Sequence, residues 1–425
     1  MIIHVVQKGE TIHSIAISYG VPEARLIQEN EITNPNDLVV GETLVILYPA
    51  ITYTVQEGDT LTGIADYYDV SVMQLLRNNP YLSDREYIYP GETIVISYKD
   101  NKIANLSTNG YAYPFIDQQI LKRTLPFLTY LTIFSYLVTA DGEINDIDDT
   151  ELIQMAKEYG VAPIMMLTGF GENQAEQINV THTVLLSEEK QEHFIDNLLL
   201  ILKSKGYFGV NITTPYILPE DRNIYVTFMT NFSTRLNKEG YKVVDTLSLS
   251  AFEIMTGIIY KGLEYTKIGQ VVNATMLITY EWGYTIGIPA GIIAFDTINN
   301  LLDYMTQQIP SEKILIGIPI LGYIWNLPYE AGVSRGQSIS YNSVIELARE
   351  FGAEIQFDET TKSSYFQYIF NGEYIVRFRD ARSIDAYVKL VPEFDINGIG
   401  IWNIMFFFAQ MWLVINSQYE IEKIL

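Results

Sequence analysis

Acid–base chemistry in this chain would have to come from a few carboxylates that follow predicted β-strands. Glu220 and Asp221 follow a strand predicted at 209–212, and Glu281 follows one predicted at 272–279. A carboxyl group in such a place can donate or accept a proton where α/β barrels carry their chemistry. We interpret Glu220 and Asp221 as a helix start, because acidic side chains are favoured in the first turn.

Metal and thiol chemistry are not indicated. The chain has no cysteine, which excludes disulfides and thiolate metal sites. The four histidines, His4, His13, His182 and His193, show no metal-ligand spacing. We therefore predict no metal and no cofactor.

Charge and composition exclude some classes of partner. The chain has 27 basic and 51 acidic residues and a formal charge of −24, which repels nucleic acid and anionic membrane surfaces. The 31 tyrosines fit a surface that stacks on sugars or packs laterally, or else a large core that buries them. The apolar run 398–415 is interrupted by Asn403 and Gln410, so we predict no membrane span.

A motif repeats near the start of the chain. The segment His4–Ile12 recurs as Tyr53–Leu61, and both copies contain a Gly-acid-Thr turn that can cap a helix. Each copy predicts a β-α-α-β unit, at 1–48 and 51–98. The units resemble the LysM module, which binds N-acetylglucosamine polymers such as peptidoglycan or chitin.

This resemblance implies a sugar groove in each module, between the first turn and the loop before the last strand. Backbone amides at the turn can hold acetamido groups while apolar side chains cover the methyl. Alternatively, the glycines and threonines serve only the geometry of the turn and cap. The implied groove residues are Gly9, Glu10, Thr11, Ile12, Asn30 and Ile32 in one module, and Gly58, Asp59, Thr60, Leu61, Asn79 and Tyr81 in the other.

The rest of the chain predicts an α/β fold. After a linker predicted at 99–108, short strands alternate with amphipathic helices over 109–425. This alternation predicts a (β/α)8 TIM-type barrel, with a small α+β insertion at about 321–390. The predicted strands are 110–113, 130–134, 162–167, 209–212, 242–247, 272–279, 314–319 and 398–402.

Several segments within 109–425 resemble family-18 glycoside hydrolases of the spore cortex-lytic or spore-germination branch. They include Asn109–Pro114, Leu131–Tyr136, Ile278–Tyr284 and Gly400–Asn403. The resemblance implies substrate-assisted cleavage, in which a glutamic acid protonates the leaving oxygen and the substrate's acetamido group attacks the anomeric carbon. The absence of a secretory signal before the first predicted strand, together with this branch, predicts a spore-envelope protein of cortex, coat or exosporium made without a signal peptide.

The acid motif of that family is missing here. Matched residue by residue, its four acid positions fall on Phe208, Asn211, Thr213 and Pro215. None of these side chains can supply the proton or the negative charge, and loss of a general acid costs about 10²–10⁴-fold in rate. We therefore predict no catalytic residue and a catalytically inactive barrel.

Other positions of the family's sugar cleft are kept. The resemblance places Tyr280 beside the substrate amide, Glu281 next to it, and Trp402 under the sugar ring. These residues, with the LysM modules, predict a binding or scaffold protein for N-acetylglucosamine polymers. Two alternatives stay open: a self-assembling structural spore-surface protein, and a weakly active hydrolase that uses the displaced carboxylates Glu220, Asp221 or Glu281.

The segment after Trp402 is strongly apolar. Met405 to Phe408 would form an apolar rim at the barrel mouth, suited to contact with another copy, to contact with coat proteins, or to plugging the cleft. The same residues are also consistent with the start of a buried helix.

Overall fold

The computed structural model describes residues 1–83, 85, 87–99, 101–170, 174–213, 221–248, 265–278, 295–330 and 334–425.

Two small modules form the N-terminal part of the molecule. In each, the first and last strands pair antiparallel and two helices pack on them. Thr11 and Thr60 cap the first helices, because their hydroxyls accept hydrogen bonds from the amides of Ser14 and Gly63. The elements are β1 Ile2–Val5, α1 Ile12–Tyr19, α2 Glu23–Asn30 and β2 Thr43–Ile46, then β3 Pro49–Thr54, α3 Leu61–Tyr68, α4 Val72–Asn78 and β4 Thr93–Tyr98.

A closed barrel of eight parallel strands follows, which confirms the predicted fold class. The last strand, Gly398–Trp402, pairs with both Ile314–Pro319 and Ala104–Ala112 and so closes the sheet. Its strands are β5 Ala104–Ala112, β6 Tyr130–Val138, β7 Ala162–Phe170, β8 Gly209–Thr213, β9 Lys242–Ser248, β10 Ala274–Ile278, β11 Ile314–Pro319 and β17 Gly398–Trp402. Its described helices are α5 Gln118–Thr124, α6 Thr150–Glu158, α7 Gln174–Leu185, α8 Glu188–Lys205, α9 Arg222–Lys238, α10 Tyr265–Val271, α11 Phe295–Gln308, α13 Ala381–Glu393 and α14 Ala409–Gln418.

The first barrel strand begins inside the segment predicted as a linker. Ala104 already pairs with Tyr419 of a short terminal strand, β18 Tyr419–Ile421. The prediction placed the boundary too late because this pairing partner lies at the far end of the chain.

The insertion between β11 and β17 is a five-stranded sheet with one helix. In this sheet, Gly322–Leu327 lies between Gln337–Ile339 and Glu373–Phe378, and Ser363–Ile369 lies between Glu373–Phe378 and Gln356–Asp358. The elements are β12 Gly322–Leu327, β13 Gln337–Ile339, α12 Tyr341–Glu350, β14 Gln356–Asp358, β15 Ser363–Ile369 and β16 Glu373–Phe378.

Side chains alternate along each barrel strand between the lumen and the helix layer. On β8, Val210 and Ile212 belong to the large outer core, and Asn211 contacts Tyr111 across the lumen. The lumen is filled mainly by Tyr111, Met166 and Met276. The barrel is therefore a packed core whose chemistry is confined to the strand ends.

The first module is docked on the barrel and its insertion. The Gln410 side chain accepts from the Thr43 hydroxyl at 2.7 Å and donates to the Thr43 carbonyl at 2.6 Å. The Ile355 amide donates to the Val40 carbonyl at 2.9 Å.

The second module docks through α4. Arg77 donates to Glu420 at 3.1 Å, and the Asn416 amide donates to Asn78 at 2.9 Å.

Candidate functional site

The C-terminal end of β8 places Asn211 and Thr213 in the barrel lumen. Thr246 donates its hydroxyl hydrogen to Asn211 Oδ1 at 2.5 Å, and Asn211 Nδ2 donates to the Tyr111 hydroxyl at 3.0 Å. All four side chains are buried. Two of the four matched acid positions therefore lie where strand-end chemistry takes place, and they present neutral hydrogen-bonding groups.

The Thr213 hydroxyl has no hydrogen-bond partner among the described residues. Its side chain is only 7% exposed. A buried hydroxyl without a partner is costly in free energy, and a bound substrate can supply the missing partner.

Phe208 lies at the opposite end of the same strand. It lines a cavity of about 310 Å³ with Tyr130, Val244 and Leu315. Because Phe208 precedes the first residue of β8, it lies far from the strand's C-terminal end. Pro215, the fourth matched position, lies outside the described residues, as do Tyr280, Glu281 and Glu220.

Aromatic rings cluster at the C-terminal end of the barrel. Trp402 lies 5.1 Å from Phe134 and 6.0 Å from Tyr113, measured between ring centroids. Tyr113 in turn stacks on Phe115, which is 77% exposed. Trp402 is only 6% exposed, so Phe115 is the accessible ring of this cluster, and Tyr113 and Phe134 are partly buried. An exposed aromatic ring can stack on the C–H face of a pyranose.

Asp221 is the predicted carboxylate that the structure describes. It precedes helix α9, in agreement with the predicted helix start, but its side chain makes no cap hydrogen bond. Instead, Asp221 Oδ2 lies 2.7 Å from His182 Nδ1. The aspartate is buried, whereas the His182 side chain is 40% exposed.

A buried carboxylate that holds one nitrogen of an exposed imidazole is an arrangement suited to proton transfer. The sequence analysis named Asp221 but not the contact of Asp221 with His182. The two residues are 39 positions apart, and only the packing of α7 against the start of α9 brings them together.

Asp245 is buried close to the site, but its side chain points away from the barrel lumen. Burial raises its pKa to about 7, and Tyr225 of α9 donates a hydrogen bond to it. On β9, Thr246 faces the lumen, so the alternation turns Asp245 to the helix layer. Asp245 is therefore a structural group behind the barrel wall.

The described residues contain no group of three or more His, Cys, Asp or Glu side chains that could hold a metal ion. No helix in the described part of the chain is long and apolar enough to cross a membrane.

The asparagines predicted in the LysM grooves are engaged inside their own modules. Asn30 Nδ2 donates to the carbonyls of Leu26 and Val45, and its Oδ1 accepts from the Val45 amide at 2.7 Å. Asn79 makes the same set with Leu75 and Val95. Both side chains are buried, and their hydrogen bonds connect the second helix of each module to its last strand.

The turn residues of the predicted grooves also have structural roles. Gly9 and Gly58 adopt φ of 87° and 88°, a region that favours glycine. Glu10 accepts from the Gln7 amide at 2.7 Å, which lowers its pKa, and Asp59 accepts from the Gln56 amide at the same distance. These contacts stabilise the turns themselves.

The apolar side chains of the predicted grooves differ in burial. Ile12 and Ile32 belong to the core of the first module, whereas Leu61 and Tyr81 are only partly buried in the second. Tyr81 lines a cavity between the two modules and the barrel.

Most of the apolar rim predicted at Met405 to Phe408 is internal. Phe408 stacks on Tyr341 with a centroid distance of 4.3 Å. The guanidinium carbon of Arg123 lies 4.0 Å from the centroid of the Phe407 ring. Only Phe406 is exposed, at 47%. The rim was predicted as a partner surface or plug because the first LysM module and the insertion, which flank this segment, cannot be placed from the sequence.

Comparisons with known proteins agree with the fold and the repeats. The family model of glycosyl hydrolases family 18 matches residues 95–406, and the LysM domain model matches residues 4–47 and 53–97. The chain is 31% identical over 431 residues to the cortical fragment-lytic enzyme of Bacillus subtilis, with 100% of this chain and 99% of that protein covered.

Solved structures extend the similarity to the whole architecture. The spore cortex-lytic enzyme SleL of Bacillus megaterium aligns with a TM-score of 0.82 at 28% identity and covers 100% of this chain and 99% of its own. SleL of Bacillus cereus aligns with a TM-score of 0.81, also at 28% identity, over 99% of both chains.

These comparisons show that the prediction of a catalytically inactive barrel is wrong. Several relatives that match over almost their full length are named as lytic enzymes. The prediction rested on four aligned positions, which test only one arrangement of carboxylates. A barrel mouth is built from eight loops, and any of them can bring an acid to a substrate.

Proposed function

Because this chain belongs to the glycosyl hydrolases family 18 and carries two LysM domains, we propose that it binds and cleaves the peptidoglycan of a bacterial spore. The observation that carries the proposal is the full-length similarity to spore cortex-lytic enzymes. The aromatic cluster of Trp402, Phe134 and Tyr113 at the C-terminal end of the barrel supports it, because aromatic rings at this end can help to orient a sugar before bond cleavage.

The chemistry requires only one proton donor from the protein if the substrate's acetamido group acts as the nucleophile. The donor gives its proton to the glycosidic oxygen, that oxygen leaves, and the acetamido oxygen bonds to the anomeric carbon. Water then opens this bond and returns the proton to the same protein group. The displaced carboxylates Glu220, Asp221 and Glu281 are the proposed donors, and Asp221 has His182 as a partner for proton transfer.

The neutral strand end has a positioning role in this scheme. Thr213 offers a hydroxyl that no described residue engages, and the Tyr111–Asn211–Thr246 network fixes the polar floor beside it. Such groups can hold the acetamido carbonyl in the orientation that its attack requires.

The experiment is to incubate the full-length chain with purified spore peptidoglycan and to measure new reducing ends and released muropeptides by mass spectrometry. Three variants, Glu220→Gln, Asp221→Asn and Glu281→Gln, identify the donor, because loss of a general acid lowers the rate by about 10²–10⁴-fold. Asp141→Asn is the control, since its carboxylate is 88% exposed. Failure of the parent chain to release any product would refute the proposed activity.

A further inference from the structure

The second LysM module carries an open trough along α3. The trough encloses about 410 Å³ and is lined by Tyr53, Tyr67, Tyr68 and the turn at 58–60. Asn79 and Tyr81 of the predicted sugar groove line a different cavity. The trough therefore shares the turn with that groove and is otherwise a separate surface.

Three tyrosine rings form one wall of the trough. The Tyr67 and Tyr68 centroids are 4.9 Å apart in an edge-to-face contact, and Tyr68 contacts Tyr53 in the same way at 5.8 Å. Tyr67 is nevertheless 79% exposed. A rigid aromatic ring held at the surface can gain contact area on binding at a small cost in conformational entropy.

A carboxylate is fixed at the end of the trough. Asp59 Oδ2 accepts from the Tyr53 hydroxyl at 2.8 Å and from the Gln56 amide at 2.7 Å. These two donors orient the carboxylate, which can accept further hydrogen bonds from a ligand. An exposed ring beside an oriented acceptor suits a sugar, which stacks its C–H face and donates from its hydroxyl or amide groups.

The first module repeats the framework of this trough but not its exposed ring. His4 lies 2.9 Å from Glu10 and 3.1 Å from the Tyr19 hydroxyl, in the places of Tyr53, Asp59 and Tyr68. The residue in the place of Tyr67 is Ser18. The stacking ring is therefore specific to the second module.

The trough is also accessible in the complete molecule. The second module docks on the barrel through Arg77 and Asn78 of α4 and through Ser83, whose carbonyl accepts from the Tyr159 hydroxyl at 3.3 Å. The exposure of Tyr67 is that of the whole chain, with the barrel in place. A long glycan strand can thus lie along α3 without any movement of the domains.

We propose that this trough is a glycan-binding site that stacks one N-acetylated pyranose of the polymer on Tyr67 and hydrogen-bonds it at Asp59. The proposal rests on the proposed function for the choice of polymer. It assigns the second LysM module a contact that the first one lacks.

The test uses the full-length chain, purified spore peptidoglycan and a sedimentation assay for the bound fraction. Tyr67→Ser gives the second module the residue of the first, and we expect it to weaken binding about tenfold, the effect typical of an aromatic anchor. Tyr67→Trp should retain binding because it keeps a stacking ring. Ile17→Ser is the control, since it removes an apolar side chain that is 67% exposed on α1 of the first module.

Thermal unfolding and cleavage are measured on the same preparations. Unchanged melting of Tyr67→Ser shows that the loss concerns binding, as expected for an exposed side chain. If Tyr67→Ser binds as tightly as the parent while the parent still cleaves the polymer, the trough is not a site and the proposed function stands. If the parent neither binds nor cleaves, the proposed function fails and the trough proposal fails with it.

Discussion

Thr213 and Thr246 are two lumen-facing threonines on neighbouring strands with different surroundings. The Thr246 hydroxyl donates to Asn211 at 2.5 Å, whereas the Thr213 hydroxyl has no partner among the described residues. The two residues pair directly in the register of β8 and β9. Substituting each in turn therefore compares a hydroxyl that makes a structural hydrogen bond, that of Thr246, with one that no described residue engages, that of Thr213.

We predict that Thr246→Val lowers the free energy of unfolding by about 1–3 kcal/mol, because it leaves a buried amide oxygen unpaired. Thr213→Val should leave stability unchanged or slightly higher, since it removes a hydroxyl that no described residue engages. Urea denaturation measures both values. If Thr213→Val cleaves peptidoglycan as fast as the parent, the positioning role proposed for its hydroxyl is wrong.

At the scale of elements, the loop before β2 fixes the first module on the insertion. Gly41 has φ of 88°, and a Cβ at this position would overlap the carbonyl oxygen of Ile355. Gly58 has the same φ of 88°, but a Cβ there would meet no atom within 4 Å. The two glycines thus share a backbone conformation that favours glycine, and they differ in what lies beside them.

We predict that Gly58→Ala costs about 1–2 kcal/mol of stability, the strain of a side chain in left-handed backbone. Gly41→Ala should cost clearly more, because the loop must also move away from Ile355 and break its docking hydrogen bonds. The measurement is the difference in urea midpoint between the two variants. Equal midpoints would show that the contact at Ile355 does not hold the first module in place.

For the molecule as a whole, the first module brings two buried carboxyl groups into the domain interfaces. Burial raises the pKa of Glu29, beside Arg25 and Tyr98, to about 7. Burial likewise raises the pKa of Glu42, near Arg349 and Glu346, to about 7. Both values lie above the ordinary 4.5 of an unfolded chain, so the folded state binds these protons more tightly.

We predict that the free energy of unfolding falls as pH rises from about 4.5 to about 7 and then levels off with respect to these groups. In this range the folded chain keeps protons that the unfolded chain has released, so increasing pH favours unfolding. Urea denaturation at pH 5 and pH 7.5 measures the change. Glu29→Gln and Glu42→Gln should each reduce it, and Glu57→Gln, at an exposed position, should not. An unchanged slope in both interface variants would contradict the prediction.

The repeated modules, the barrel and most strand positions could be predicted from the sequence. Strand β11 has the predicted bounds, and β8 extends the predicted strand only by Thr213. These features depend on local periodicity and on the residues of turns, and both can be recognised within a short stretch of sequence. The assignments of Tyr280, Glu281 and Trp402 to the family's sugar cleft stay predictions.

Contacts between residues distant in the chain could not be predicted from the sequence, because they depend on tertiary packing. His182 reaches Asp221, Gln410 reaches Thr43, and Phe408 stacks on Tyr341 because separate helices and modules pack together. The prediction of an inactive barrel was wrong for a related reason, because it considered only residues at and next to one strand. A catalytic site depends on the distances between side chains of several loops, and those distances are set by packing across the whole barrel rather than by the order of residues along the chain.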